Sequence, residues 1–208
     1  MKIDSVKNKT CWDDVVNDCR LTVGKDALDH GPSDKFKRSI LIAEHTPIRM
    51  VSIRWRFVGI KSWIATHFAR HMFYKNVQSQ RDDRTGVDRN KSPQDAPVNM
   101  VCELNGQNWI DVSRKRLCHQ AHTETRTAWE QVLEEVKKIE PELYNVCVPN
   151  CVYRCGCPEQ TTCGLYAAFN LWCIRTYNHS AGEFPTIWER YCAYHKFEEE
   201  RMLKGVEA

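Results

Sequence analysis

The chain has 208 residues, 42% of them hydrophobic and 27% charged, with a formal net charge of +3. These values fit one globular domain and disfavour disordered, collagen-like and membrane-spanning chains, since no window approaches the roughly 18 apolar residues that a membrane helix needs. The charge is too mild to mark a nucleic-acid or membrane binder, yet it suits a small anionic ligand. The N-terminal MKIDSVKNKTCWDD lacks an apolar stretch and a small-residue cleavage site, which places the chain in the cytoplasm of a cell or of a host. The unusual number is 11 cysteines, which in a reducing compartment point to a metal, a redox site or small buried thiols.

The first forty residues are weakly patterned, with a turn at Gly31–Ser33 before the apolar run Ile40–Ala43. Val51, Ile53, Trp55 and Phe57 then alternate with Ser52, Arg54 and Arg56, which predicts a half-buried strand over 49–58. Past Gly59, Ile60, Trp63, Ile64 and Phe68 recur at helical spacing and predict a helix to about Tyr74, on which His67, Arg70 and His71 share a face. Residues 82–99 have no apolar periodicity and read as a mobile surface loop, a candidate lid. A long helix is expected over 108–139, with Leu117, Ala121, Ala128, Val132, Val136 and Ile139 inward and Pro141 stopping it. A cysteine-rich turn, 147–163, leads to a helix capped by Thr161 or Thr162 that runs through Leu165, Phe169, Leu171 and Ile174. A last amphipathic helix spans 186–203. The expected class is α+β, a helix-rich single domain over 1–208 with a small sheet.

Three constellations carry chemistry. His67, Arg70 and His71, followed by Lys75, Asn76, Gln78, Ser79 and Arg81, read either as a solvated basic face or as an anion site; the flanking apolar residues favour the site, because buried unpaired arginines are costly. The spacing of His67 and His71 also suits zinc, but Phe68 stands where a metalloprotease helix has its Glu. Cys147, Cys151, Cys155, Cys157 and Cys163 lack the paired hooks of a zinc ribbon, which leaves a metal held by Cys151, Cys155, Cys157 and Cys163 open beside free thiols. Asn170, taken alone, is as well explained by a backbone contact as by a ligand.

In order and spacing these pieces resemble the flavin-dependent thymidylate synthases. That family's Arg-His-Arg triplet and following Ser-x-Arg correspond to Arg70-His71-Met72 and Ser79-Gln80-Arg81, its His-x-Thr/Ser-Pro lead-in to His45-Thr46-Pro47, and its C-terminal Asn, Arg and Glu to Asn170, Arg175 and Glu183. Glu142 and Val148-Pro149 resemble its Glu and Leu-Pro, and SRKRLCHQAHTET with the Cys-Pro-Glu at 157–159 looks like a bacteriophage branch. The resemblance covers about residues 40–185. It implies a small antiparallel sheet within a helical domain and a homotetramer with FAD between subunits. It also implies reductive transfer of a one-carbon unit from methylenetetrahydrofolate to C5 of dUMP, with NADPH recharging the flavin. Carried over by position, His45, Arg70, His71 and Asn170 would contact flavin; His67, Ser79 and Arg81 would bind the nucleotide phosphate. Arg175 would hold the pyrimidine and stabilise charge developing on it, as the catalytic residue. No protein nucleophile is needed.

Several positions depart from the pattern. Met72 replaces the second arginine of the triplet, His67 a glutamine, Asn145 a phosphate-binding arginine and Gly164 a flavin-side asparagine, and the Ala-Gln before Glu183 is absent. A lost phosphate arginine costs on the order of 1.5–3 kcal/mol unless replaced, for which Lys75 or the cluster Arg114-Lys115-Arg116 is available. Two alternatives stand beside dUMP methylation: the same scaffold methylating another pyrimidine nucleotide or hydroxymethylating it, and a non-enzymatic cysteine-rich module binding metal and nucleic acid.

Overall fold

The computed structural model describes residues 1–203, so residues 204–208 of the expected 1–208 unit lie outside the described residues. Strands β1 (Lys2–Asn8), β2 (Ser52–Lys61), β3 (Tyr74–Val77) and β4 (Pro97–Asn105) form one antiparallel sheet in the order β1-β2-β4-β3. Alternate residues of both central strands are buried, Ile53, Trp55 and Phe57 on β2 and Val98, Met100, Cys102 and Leu104 on β4. Trp55 stands opposite Cys102 and Phe57 opposite Met100. Beyond Phe57 the register shifts where Gly59 takes φ +68°, and the strand runs on to Lys61. A bulge of this kind needs a left-handed residue, which glycine supplies without strain. The strand expected over 49–58 is therefore displaced: Thr46–Met50 form a 3-10 turn with Pro47 in its first turn, where a fixed φ and a missing amide cost nothing.

The helices are α1 (Trp12–Leu21), α2 (Asp34–Ala43), α3 (Ser62–Ala69), α4 (Asp82–Thr85), α5 (Gly106–Arg116), α6 (Thr123–Ile139), α7 (Pro141–Val146), α8 (Asn150–Tyr153), α9 (Leu165–Tyr177) and α10 (Ile187–Leu203). The turn at Gly31–Ser33 precedes α2 because the Ser33 hydroxyl caps it, accepting from the Phe36 amide at 3.3 Å. The helix expected to reach Tyr74 ends at Ala69, since Tyr74–Val77 pair with the free edge of β4. The 82–99 loop holds α4 and a 3-10 turn at Arg89–Lys91, and its last residues already belong to β4. Neither Thr161 nor Thr162 caps α9: Gly164 occupies the N-cap, and the Thr162 hydroxyl accepts the Gly164 amide at 3.1 Å. The last helix matches its expected span.

The single helix expected over 108–139 is two, α5 and α6, with a break at Leu117–His122. A continuous helix would hold Trp109 and Trp129 about 30 Å apart along its axis. Instead their rings lie 5.0 Å apart, both against Trp55, and the Trp129 indole donates to the Ser113 hydroxyl at 3.0 Å. Burying three indoles together outweighs helix continuity. At the other end of α5, a Cβ on Gly106 would stand 2.5 Å from the Ile48 carbonyl oxygen, so glycine lets α5 press against the 3-10 turn. Those two contacts fix where the basic end of α5 points. Among the described residues no helix is long and apolar enough to cross a membrane.

Candidate functional site

The end of α3 meets the end of α5. Phe68 anchors α3 in the core, its ring 5.5 Å from Phe57 and 5.8 Å from Trp129. This leaves His67 and His71 half-buried beside Arg116. The Arg116 Nε–H donates to His71 Nε2 at 2.8 Å, and its Nη2 donates to the His67 carbonyl at 2.9 Å. His67 Nδ1 lies 3.0 Å from the Thr125 hydroxyl, and the Trp63 ring packs on both His67 (5.3 Å) and His122 (4.6 Å). Lys75, on β3, donates to the His71 carbonyl at 2.7 Å. Arg70 caps the end of α3 and is exposed.

The electrostatics of this corner are one-sided. Among the described residues no carboxylate pairs with Arg70, Arg116, Lys75, His67, His71 or His122. Burial, with Arg116 and Lys75 close by, pushes the His71 imidazole down to about 4. Burial and the nearby Arg116, Arg70 and His122 lower His67 as well. Burial and Arg70 lower even Arg116. Two imidazoles disfavoured as cations, amid three cations that no carboxylate pairs with among the described residues, make a positive corner, the chemistry of an anion site.

Ser79 and Arg81 follow β3 on an exposed segment. The Ser79 hydroxyl accepts the Arg81 amide at 3.3 Å, and the Arg81 guanidinium grips Asp83 through Nε–H to Oδ1 at 2.9 Å and Nη2 to Oδ2 at 2.5 Å. Of the basic cluster on α5, Arg114 turns away to Glu44 and stacks 3.8 Å over Tyr153, leaving Arg116 alone to reach the histidines. The sequence pointed to the cluster but not to Thr125, His122 and Trp63; the stretch RLCHQAHTET held the signal for the first two, hidden by the expectation of one long helix.

The other expected site residues lie elsewhere in the chain. His45 starts the 3-10 turn and lines a cleft with Cys19, Thr22, Phe36, Ser39 and Ile40. The Asn170 carbonyl oxygen accepts the Ala181 amide at 2.7 Å, and Glu183 accepts the Ser180 amide at 2.6 Å, so both brace the turn after α9. Arg175 is exposed on the last turn of α9. No hydrogen bond or ion pair joins His45, Asn170 or Arg175 to the histidine corner within the described residues of one chain. Met72 is 87% exposed, and Asn145 donates to the Pro141 carbonyl at 3.0 Å.

All 11 cysteines are free thiols. Cys147 and Cys151 are buried, whereas Cys155 and Cys163 are exposed, and the described residues contain no group of three Cys, His, Asp or Glu side chains placed to hold a metal ion. Burial pushes both Cys147 and Cys151 up to about 12, as neutral thiols.

The fold is that of solved flavin-dependent thymidylate synthases, the class that the motifs resemble. The family model described as thymidylate synthase complementing protein (Thy1) matches residues 89–142, which include Arg116, His122 and Thr125. Two solved structures of the flavin-dependent thymidylate synthase ThyX from Helicobacter pylori, both with FAD and dUMP, superpose with TM-scores of 0.54 and 0.56 at 11% and 12% identity. They cover 71% and 70% of this chain and 100% and 99% of theirs. A UMP/dUMP methylase, PolB from Streptomyces cacaoi, bound with 5-Br dUMP, superposes with a TM-score of 0.53 at 14% identity, over 70% of this chain and 94% of its own. No curated protein sequence matches.

Proposed function

We propose that the protein is a flavin-dependent methylase of dUMP, forming dTMP with methylenetetrahydrofolate as one-carbon donor and NADPH as reductant. The observation that carries this reading is the carboxylate-free cationic corner of His67, Arg70, His71 and Arg116, set in a fold whose neighbours bind FAD and dUMP. The donor set suits the flavin cofactor: Arg70 and Lys75 supply charge, and His71 supplies an N–H on the side away from Arg116. Asn170 keeps its amide N–H groups to donate, because only its carbonyl is spent on Ala181. Bound FAD would supply the hydride chemistry, and His45, Arg70, His71 and Asn170 would hold it.

His67, Ser79 and Arg81 would take the nucleotide phosphate. The Arg81–Asp83 pair is exposed, 61% and 53%, so breaking it costs under about 1 kcal/mol, which the nearly two charges of a phosphate monoester outweigh. Arg175 would face the pyrimidine and stabilise negative charge on its carbonyl. Because His45, Asn170 and Arg175 stand apart from the histidine corner in one chain, we assign the complete site to a homotetramer in which subunits share it.

Pure protein should be yellow, with flavin absorbance bleached by dithionite or NADPH and perturbed by dUMP; a colourless protein that FAD cannot reconstitute overturns the reading. A second reading, another pyrimidine nucleotide as substrate or a hydroxymethylated product, is favoured by Met72 and His67 where the family has arginine and glutamine, and by the UMP/dUMP methylase among the neighbours. Incubation with dUMP, UMP and dCMP plus methylenetetrahydrofolate, read by mass spectrometry, separates them: dTMP from dUMP alone excludes the second.

A further inference from the structure

We infer that Arg116 is the positioning residue of this site, holding His71 as the neutral tautomer with its proton on Nδ1. The inference rests on the functional reading for its purpose, but its geometry stands alone. Arginine has no acceptor and does not deprotonate in proteins, so the 2.8 Å contact from Arg116 Nε to His71 Nε2 requires Nε2 to carry the lone pair. The remaining proton of the neutral ring must then sit on Nδ1, directed away from Arg116 as a donor. The second prong of the guanidinium, on the His67 carbonyl at 2.9 Å, fixes the fork at two points that a lysine could not reproduce.

Burial and two cations beside the ring oppose its protonation. Arg116 faces it from α5 and Lys75 from β3, with Arg70 and His67 on its own segment and His122 and Thr125 behind His67 on α6. The side chain at 72, by contrast, is almost wholly in solvent. The guanidinium that holds His71 comes from α5, whose last residue is Arg116, just before the break that begins at Leu117. The consequence is specific: near neutral pH His71 presents an N–H donor, not an imidazolium or an acceptor, to whatever binds there.

The test uses the full chain labelled with 15N-histidine, the His71 signal being assigned by its loss in His71→Gln. In the unaltered protein, long-range proton–nitrogen spectra should show Nε2 unprotonated and no titration of His71 between pH 8 and 5. Arg116→Ala should mix the tautomers and raise the His71 midpoint by about one unit or more toward the ordinary range. Arg116→Lys retains the charge; its midpoint should stay low while the tautomer preference weakens, which guards against misfolding of the alanine variant. A His71 that titrates near 6.5 in the unaltered protein, or spectra unchanged in Arg116→Ala, overturns the inference. These spectra need no flavin or nucleotide, so failure to take up FAD would sink the functional reading while leaving this result to be read.

Discussion

At the residue scale, the site is a balance between cations that are spoken for and cations that are free. Arg81 is clasped by Asp83 and Arg114 by Glu44, whereas among the described residues no carboxylate pairs with Arg70 or Arg116. Removing Arg81 should therefore cost the nucleotide a charge-assisted bond, weakening dUMP binding by about 1.5–3 kcal/mol, or roughly ten- to a hundredfold. Asp83→Asn should tighten it by up to about fivefold, because the competitor for the same guanidinium is removed. Titration of both variants with dUMP, followed by flavin absorbance or calorimetry, checks the pair, and equal affinities in all three proteins would exclude Arg81 from the phosphate site. In the proposed reaction Arg175 belongs to a different step. It is exposed and hydrogen-bonds to nothing in the described chain, so Arg175→Ala should keep flavin content while kcat falls by about 10²- to 10³-fold, as for loss of one charge-stabilising donor. Loss of flavin would contradict that role.

At the element scale, α5 decides the geometry, because its two ends are both fixed by packing. Gly106→Ala places a Cβ 2.5 Å from the Ile48 carbonyl, and backbone cannot give way as a side chain can. Unfolding in denaturant should show a loss of about 1–3 kcal/mol, and Arg116 should be misplaced with it. The sequence made β2 legible because Ile53, Trp55 and Phe57 alternate cleanly up to the bulge, and α10 because no Gly or Pro interrupts its 17 residues. It left β1 hidden because an edge strand with only Ile3 and Val6 against the core carries little alternation, and Ser5 at φ 51° interrupts even that. Strand β4 had clean alternation at Val98, Met100, Cys102 and Leu104, masked by the Pro and Asn residues around it. The division between α5 and α6 was illegible because its cause, three tryptophans from distant segments meeting in one cluster, is a tertiary fact. For the same reason His67 and His71 were legible as candidates, but the partner that orients them was only one of three basic residues in a row.

At the scale of the whole molecule, buried titratable groups set how the fold responds to acid. His71, His119 and His195 are each pushed down to about 4, chiefly by burial, so the unfolded chain binds their protons between about pH 6.5 and 4 and the folded chain does not. Stability held above 6.5 is lost as pH falls through that window. Glu198, pushed up to about 7 by burial, and Glu130, raised for the same reason, act in the opposite direction but are fewer. The unfolding free energy from denaturant titration should thus fall between pH 7 and 5 by an amount on the order of 1–3 kcal/mol, most of the half-buried groups' share being discounted for solvent. The exposed surface bears on assembly. Leu171 and Ile174 are 48% and 44% exposed on α9, one turn apart and on the helix that carries Arg175. Neighbouring apolar side chains on the helix that carries Arg175, proposed to face the pyrimidine, suit a subunit interface better than solvent. Replacing both with Glu should shift the particle to a smaller mass in sedimentation, and flavin should dissociate with it, since His45 and Asn170 cannot reach the histidine corner within one chain. An unchanged mass, or a monomer that stays yellow, would place the whole site inside one subunit and refute the shared arrangement.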